Sequence, residues 1–249
     1  MDNTTYVALS LARAMQRDLD VTANNIANAN TAGFKAERIL FSSYLHPDEG
    51  AEVGEGTNFV VDQGSWVDET QGAFTRTDNP LDVAVKGDAW MSYRTPEGQT
   101  AFGRDGQLAM DRDGYLVTLS GARVLDDGGA EIVLPQGVGK IEISPNGVIA
   151  SEANGVLGRI GMFDVPDIQT YLRIGNSMLV PPEGRTSQAV PTTTSELQQG
   201  ALELSNVQPV AEVTRLMMIQ KAYERATKLM STEDDLKKDM LRRLGQITG

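Results

Sequence analysis

Residues Ala23–Lys35 read Ala-Asn-Asn-Ile-Ala-Asn-Ala-Asn-Thr-Ala-Gly-Phe-Lys. Four asparagines, Asn24, Asn25, Asn28 and Asn30, crowd into this stretch. Asparagine is a poor helix-interior residue because its amide competes for nearby backbone groups. It tolerates left-handed backbone and favours helix ends and turns. Gly33 follows, free of any penalty at positive φ, and Phe34 is an apolar anchor beyond it. The stretch therefore predicts a helix C-terminus running into a tight turn. One helix end uses one or two such amides, and each amide carries two donors and an acceptor. The surplus predicts that several of the four bond neighbouring subunits.

Working back from the turn, residues 5–28 carry an amphipathic pattern. Ala8, Met15 and Thr22 are spaced by seven, as are Ala12, Leu19 and Ile26. That is the spacing of one helix face, with Arg13, Gln16, Arg17 and Asp20 opposite. The pattern returns at the other end of the chain. Over 206–244, Leu216, Tyr223 and Met230 keep a seven-residue spacing, and so do Ile219 and Ala226, with Val213 and Met217 widening the stripe. Ser205 or Asn206 can cap this second helix, and Pro209 fits its first turn. Such heptad-like stripes pack helix on helix. The two helices are expected to pair as a coiled-coil-like core when the chain doubles back. Two helices cannot enclose a core, so an apolar face should be left for further copies of the chain.

Between the helices the pattern changes. Residues 34–75 predict a connector that starts extended over Lys35–Leu45. It turns through the acidic, Gly-rich stretch His46–Gly56 and forms a hairpin of Asn58–Asp62 and Ser65–Glu69 around Gly64. Residues 76–200 hold short apolar runs, among them Leu81–Val85, Trp90–Tyr93, Tyr115–Leu119 and Arg159–Val165. They are punctuated by Thr95-Pro-Glu-Gly98, Asp111-Arg-Asp-Gly114, Asp126-Asp-Gly-Gly129 and Ser144-Pro-Asn-Gly147. These turns predict an all-β domain, an irregular barrel or sandwich. Residues 181–204, rich in Pro, Thr and Gln, read as an extended, poorly packed linker. The fold class is thus α+β. A helix over 1–33 is followed by a connector over 34–75, a β domain with linker over 76–200 and a second helix over 201–249.

Composition excludes several functions. The chain has no cysteine, so disulfides and thiolate metal sites are out. A net charge of −12 concentrated in the middle of the chain opposes nucleic acid and anionic membranes. Residues 1–20 carry Asp2, Arg13, Arg17, Asp18 and Asp20, unlike a secretory signal peptide. His46 is the sole histidine and lies in a polar turn. Gly137-Val-Gly-Lys140 lacks the phosphate-loop spacing. Asp111-x-Asp113-Gly114 lacks the flanking ligands of a calcium loop and reads as a hairpin turn. Asp62, Asp68 and Asp105 are carboxylates without a geometry. No catalytic residue, cofactor, metal or small-molecule substrate is indicated. Asn79-Pro80-Leu81-Asp82 is the one shaped loop. Pro80 extends Asn79, and Asp82 is placed to bond local donors.

Three motifs together carry a resemblance. Ala-Asn-Asn-Ile-Ala-Asn with Thr-Ala-Gly-Phe-Lys at 23–35, Asn-Pro-Leu-Asp at 79–82, and Leu-Glu-Leu-Ser-Asn-Val at 202–207 with Gln-Lys-Ala-Tyr-Glu at 220–224 resemble the bacterial flagellar rod and hook proteins. The resemblance implies a structural axial subunit. Its terminal helices would pack with other copies and other rod proteins in a central tube, with β domains outside. It also implies export by the flagellar export apparatus without a cleaved signal. Hook members carry an additional large β domain, for which this chain has no room, and the opening Met1–Ser10 is most similar to proximal rod members, with the distal rod as the alternative. Asn24, Asn25, Ile26, Asn28, Asn30, Gly33, Phe34, Asn79, Asp82, Asn206, Val213, Leu216, Ile219, Gln220 and Tyr223 are the expected subunit-contact residues. A β-domain enzyme acting on wall glycan and a secreted adhesin with helical ends are the readings from other classes.

Overall fold

A computed structural model describes residues 2–46, 57–175, 177–185 and 187–246. All of the expected turn-rich stretch beyond His46 lies outside the described residues. The described chain opens with helix α1, Asp2–Ala27, and ends with helix α2, Pro209–Gln246. Short strands joined by turns and loops occupy the described region between. The chain divides into two compact units.

The first unit comprises residues 1–27, 37–66 and 208–249. In it α1 packs against α2. Thr5 Oγ1 donates to Glu233 at 2.6 Å, and Arg215 pairs with Asp18 at 3.0 Å, so the helices run antiparallel. Ala8, Ala12, Thr22 and Asn25 of α1 are buried, as are Glu212, Ile219 and Ala226 of α2. Small residues on α1 leave room for the facing helix, and the buried Glu212 carboxylate lies 3.7 Å from Arg38. Val213 and Met217, assigned to the same stripe by spacing, are instead exposed at 43% and 49%. They sit on a flank of α2 turned away from the stripe through Ile219 and Ala226. No helix among the described residues is long and apolar enough to cross a membrane.

The same unit holds a hairpin that differs from the expected one. Strand Glu37–His46 pairs with a single continuous strand, Thr57–Val67. Gly64 lies inside that strand and does not form its turn, and the Asp62 carboxylate accepts the Gly64 N–H at 2.8 Å. The alternation on either side of Gly64 belongs to one strand because residues 37–46 supply a complete partner. The hairpin leans on α1: Arg17 pairs with Asp62 at 2.8 Å, and Val60 N–H donates to Ser10 Oγ.

The second unit comprises residues 28–36 and 67–207. Its largest sheet has nine strands, all antiparallel where paired. Strand Trp90–Arg94 pairs along one edge with Thr100–Gly103. Its other edge forks, with Tyr93 and Arg94 facing Val124 and Arg123 while Trp90 and Met91 face Phe163 and Met162. That fork is why the described strands form no closed barrel. A barrel strand keeps one neighbour on each side, whereas this strand divides one side between two short ones. A three-stranded sheet runs Ile141–Ile143, Val148–Ser151, Gly155–Arg159. The expected single strand over Arg159–Val165 is therefore cut at Ile160–Gly161, with its halves in different sheets.

The linker expectation for 181–204 fails in its second half. Glu196–Gln199 pairs with Val83–Lys86, and Ala201–Glu203 pairs with Phe74–Arg76. Leu197, Ala201 and Leu202 are buried. Composition alone hides this because each strand is only three or four residues long. The core gathers Val83, Val85, Met91, Tyr93, Leu116, Val124, Ile149 and Met162. A second cluster stacks Phe102 edge-on against Phe163 and Tyr171 at 5.8 and 5.9 Å.

Candidate functional site

The carboxylates singled out in the sequence are engaged in local structure. The Asp111–Gly114 segment is a hairpin turn in which Asp111 Oδ1 accepts the N–H groups of Asp113 and Tyr115 at 2.9 and 2.8 Å. Asp62 is tied to Arg17, and Asp68 Oδ1 accepts Thr70 N–H and Oγ1. Among the described residues no group of three or more His, Cys, Asp or Glu could hold a metal. What the second unit does build is a polar junction, and all three sequence motifs feed it.

From the first motif come residues 28–36. The chain turns where Thr31 N–H reaches the Asn28 carbonyl at 3.1 Å. Gly33 takes φ 66° and packs directly on the backbone of Arg104, where a Cβ would stand 2.2 Å from the Arg104 carbonyl carbon. Only glycine satisfies both demands. Gly33 N–H donates to the Glu203 carbonyl at 2.8 Å. Phe34 is 2% exposed, clusters with Ala36 and Val207, and lies under the Arg173 guanidinium at 4.6 Å. Lys35 extends its ammonium to the Glu203 carboxylate at 2.6 Å and the Thr70 carbonyl at 2.7 Å.

From the third motif come residues 202–207. The Glu203 carboxylate is fully buried and also accepts Gly72 N–H at 3.0 Å and Arg104 at 3.4 Å. Arg104 in turn lies over Trp90 at 5.1 Å. Asn206 uses its whole amide: Oδ1 accepts Ala36 N–H at 2.7 Å, and Nδ2 donates to the Asp68 and Thr70 carbonyls. Burial lowers the Lys35 pKa, and the attraction of Glu203 opposes that shift.

From the middle motif comes the turn 79–82. Asn79 Nδ2 donates to the Asp82 carboxylate at 2.9 Å, and Asp82 N–H reaches the Asn79 carbonyl. Asp82 bridges to Gln107, and Val83 N–H donates to the Gly106 carbonyl at 3.0 Å. Gln199 Nε2 donates to the Pro80 carbonyl at 2.7 Å. The loop 104–107 thus touches all three motifs. Within it, burial pushes the Asp105 carboxyl up to about 6, with Asp82 adding to the rise and the Gln107 N–H working against it. Tyr93 OH donates to the Asp105 carbonyl at 2.8 Å.

The Asp105 shift has a measurable consequence. A carboxyl raised from 3.8 to about 6 destabilises the fold once ionised, so its penalty is absent below pH 4 and complete above pH 6. Two units correspond to about 3 kcal/mol. Asp105→Asn, which keeps an acceptor for Gln107, should match the wild type in urea denaturation near pH 4. It should exceed the wild type by about 3 kcal/mol at pH 7.5. Parallel curves at both pH values would contradict this.

The other predicted contact residues divide by exposure. In the first unit Asn24, Val213 and Gln220 are exposed, and Ile26, Leu216 and Tyr223 are half-buried. Ile219 is buried, and Asn25 is buried with its amide spanning Glu37, donating to its carbonyl at 2.8 Å and accepting its N–H at 3.0 Å. In the second unit Asn30 and Asn79 are exposed, Asn28 and Asn206 are half-buried, and Gly33, Phe34 and Asp82 are buried. Sequence reasoning missed Lys35, Glu203 and Arg104. A signal was present, since Lys35 and Glu203 both sit inside motifs and are flanked by apolar residues.

Comparison with known proteins settles the family. The family described as "Flagella basal body rod protein" matches residues 6–35, the hook protein FlgE/F/G D1 domain matches 84–151, and the basal body rod FlgEFG C-terminal family matches 198–243. The flagellar basal-body rod protein FlgF of Caulobacter vibrioides is 37% identical over 99% of this chain and 100% of its own length.

This chain belongs to the flagellar basal-body rod protein family.

Two other rod-protein relatives bracket it. FlgF of Mesorhizobium japonicum is 35% identical over 98% of this chain and 99% of its own length. FlgG of Caulobacter vibrioides is 32% identical over 92% of this chain and 94% of its own length. The rod-family matches at 6–35 and 198–243 cover both residues of the buried pair Lys35–Glu203.

Proposed function

We propose that this chain is a structural, non-enzymatic subunit of the flagellar basal body that forms the proximal rod. It assembles with its own copies and with other rod proteins through α1 and α2. The observation that carries the proximal assignment is the end-to-end 37% identity to a FlgF protein, against 32% to FlgG of the same organism. The exposed apolar residues of α2 support assembly through the helices. Val213, Met217, Met218, Leu229 and Leu236 lie off the face that meets α1, and helices of this kind gain most of their stability from packing. In the assembled rod these faces pack in a coiled-coil-like manner. Among the expected contact residues, the exposed Asn24, Asn30, Asn79, Val213 and Gln220 meet neighbouring copies. Asn25, Gly33, Phe34, Asp82, Asn206 and Ile219 hold the subunit's own form, and Ile26, Asn28, Leu216 and Tyr223 serve both. The subunit reaches its position through the flagellar export apparatus.

Imaging of basal bodies from a deletion strain tests the assignment. Non-motile cells whose basal bodies stop at the rings or a short stub are the expected result. A longer rod lacking only its outer part would assign the chain to the distal rod, and intact flagella would refute a rod role altogether.

A further inference from the structure

The second unit contains a strap, residues 28–36, whose docking is unusually polar. Its apolar support is one small cluster, Phe34, Ala36 and Val207, with Ala29 packed beside it. Its other holds include backbone bonds to Glu203, Asp68 and Asn206, the Asn206 amide, the Arg173 guanidinium on the Lys35 carbonyl at 2.7 Å and over the Phe34 ring, and the Lys35 ammonium. Lys35 is 2% exposed, Arg104 1% and Glu203 1%. Two buried cations therefore share one buried carboxylate. The two cations differ in freedom. Arg104 follows the strand Thr100–Gly103 and stacks over Trp90. Lys35 rides on the strap itself and can return to water if the strap lifts.

We propose that Lys35 makes closure of this strap conditional on Glu203, so that residues 28–36 dock on the β unit only once the C-terminal segment Leu202–Val207 is in place. The inference is independent of the rod assignment. A buried ammonium without a counter-charge costs several kcal/mol, and a paired one gains little over an apolar side chain of the same reach. The lowered pKa of Lys35, caused first by burial, fits that balance. Lysine at this position therefore adds little to the closed state when Glu203 is present. It penalises closure heavily when Glu203 is absent. Because Glu203 lies on the strand paired with Phe74–Arg76, the condition is met only when the end of the β unit is zipped. The strap follows α1 directly and residues 202–207 lead directly to α2, so one carboxylate governs the ordering of both exits of the β unit.

The test uses the full chain and three variants, read by hydrogen exchange at the Gly33 amide and by trypsin cleavage after Lys35 or, where Lys35 is replaced, after Arg38. Glu203→Gln keeps the shape and removes the charge. It should raise Gly33 exchange at least tenfold while amides of the strand Trp90–Arg94 keep their protection. Lys35→Met should leave Gly33 protected within a few-fold of wild type, because Glu203 then pairs with Arg104 alone. The double variant Lys35→Met/Glu203→Gln should recover most of the Gly33 protection lost in Glu203→Gln. No ammonium remains on the strap to be expelled, and the Arg104 guanidinium, also left without its carboxylate, belongs to the β unit and not to the strap. Gly33 protection unchanged in Glu203→Gln would overturn the proposal. So would a double variant as open as Glu203→Gln, or a Lys35→Met chain that is itself open. Gly33 and Trp90–Arg94 amides rising together in Glu203→Gln would show one cooperative unit rather than a strap, and would also overturn it.

Discussion

Ile219→Asp is expected to separate α2 from α1 and leave the β unit folded. Ile219 is 5% exposed at the centre of the face that α2 turns to α1. Losing the isoleucine forfeits about 2 kcal/mol of apolar burial. The carboxylate that replaces it would be taken out of water, and burying it unpaired adds several kcal/mol more. The neighbouring ion pair does not help, because Arg215 is already bonded to Asp18 at 3.0 Å. A total of about 4 kcal/mol or more is comparable with the whole stability of a small domain. A large fall in far-UV helical signal is the expected readout, with amides of the strands Trp90–Arg94 and Leu116–Thr118 still protected. Ile219→Leu, a near-isosteric change, should cost less than about 1.5 kcal/mol. Cells carrying Ile219→Asp should be non-motile. A full helical signal in that variant would refute the packing described for the pair.

Gly106→Ala should act on the other unit. A Cβ at residue 106 would stand 1.6 Å from the Val83 carbonyl oxygen. That atom is backbone, so the strand Val83–Lys86 must move away. Moving it strains the Val83 N–H bond to the Gly106 carbonyl and the bridge between Asp82 and Gln107. Overpacking of this kind costs about 1–3 kcal/mol, and lost buried bonds add to it. A loss of about 3 kcal/mol in denaturation of the β unit is expected, with the helical signal of α1 and α2 retained. Gly175→Ala is the matched comparison. Its added Cβ meets nothing within 4 Å, and its φ, like that of Gly106, is not positive, so it should be neutral or slightly stabilising. Equal losses in the two variants would mean that close approach to Val83 carries no weight.

The helices were legible in the sequence because a seven-residue spacing survives whatever surrounds it. The amphipathic stretches 5–28 and 206–244 become Asp2–Ala27 and Pro209–Gln246. The wider helical segments 1–33 and 201–249 lose residues 28–33 to a turn and Ala201–Glu203 to a strand, because Gly33 ends the first and the sheet partner Phe74–Arg76 claims the start of the second. The β region was legible as strands and turns but not as an arrangement. Strands of two to five residues carry too little alternation to say which neighbours they choose, so the fork at Trp90–Arg94 was hidden. So was the cut at Gly161, whose N–H bonds the Leu125 carbonyl. The hairpin was misplaced because Gly64 looks like a turn residue, and the partner strand Glu37–His46 lies more than ten residues upstream. The asparagines have a use that their spacing does not reveal. Asn25 and Asn206 spend their amides inside the chain, on Glu37, Ala36, Asp68 and Thr70. Spacing alone does not distinguish an amide that ties a chain to itself from one that ties it to a neighbour. The buried charges Lys35, Arg104 and Glu203 escaped notice because residues so far apart in sequence show their pairing only in three dimensions.

The central claim is that copies of this chain join through their terminal helices. The most direct measurement is a density map of rods isolated from cells at a resolution that resolves side chains. Helix-to-helix contacts between neighbouring copies, with Val213, Met217 and Leu229 of α2 buried against adjacent chains, are the predicted result. Copies that touch only through their β units, with those three side chains facing solvent, would contradict it.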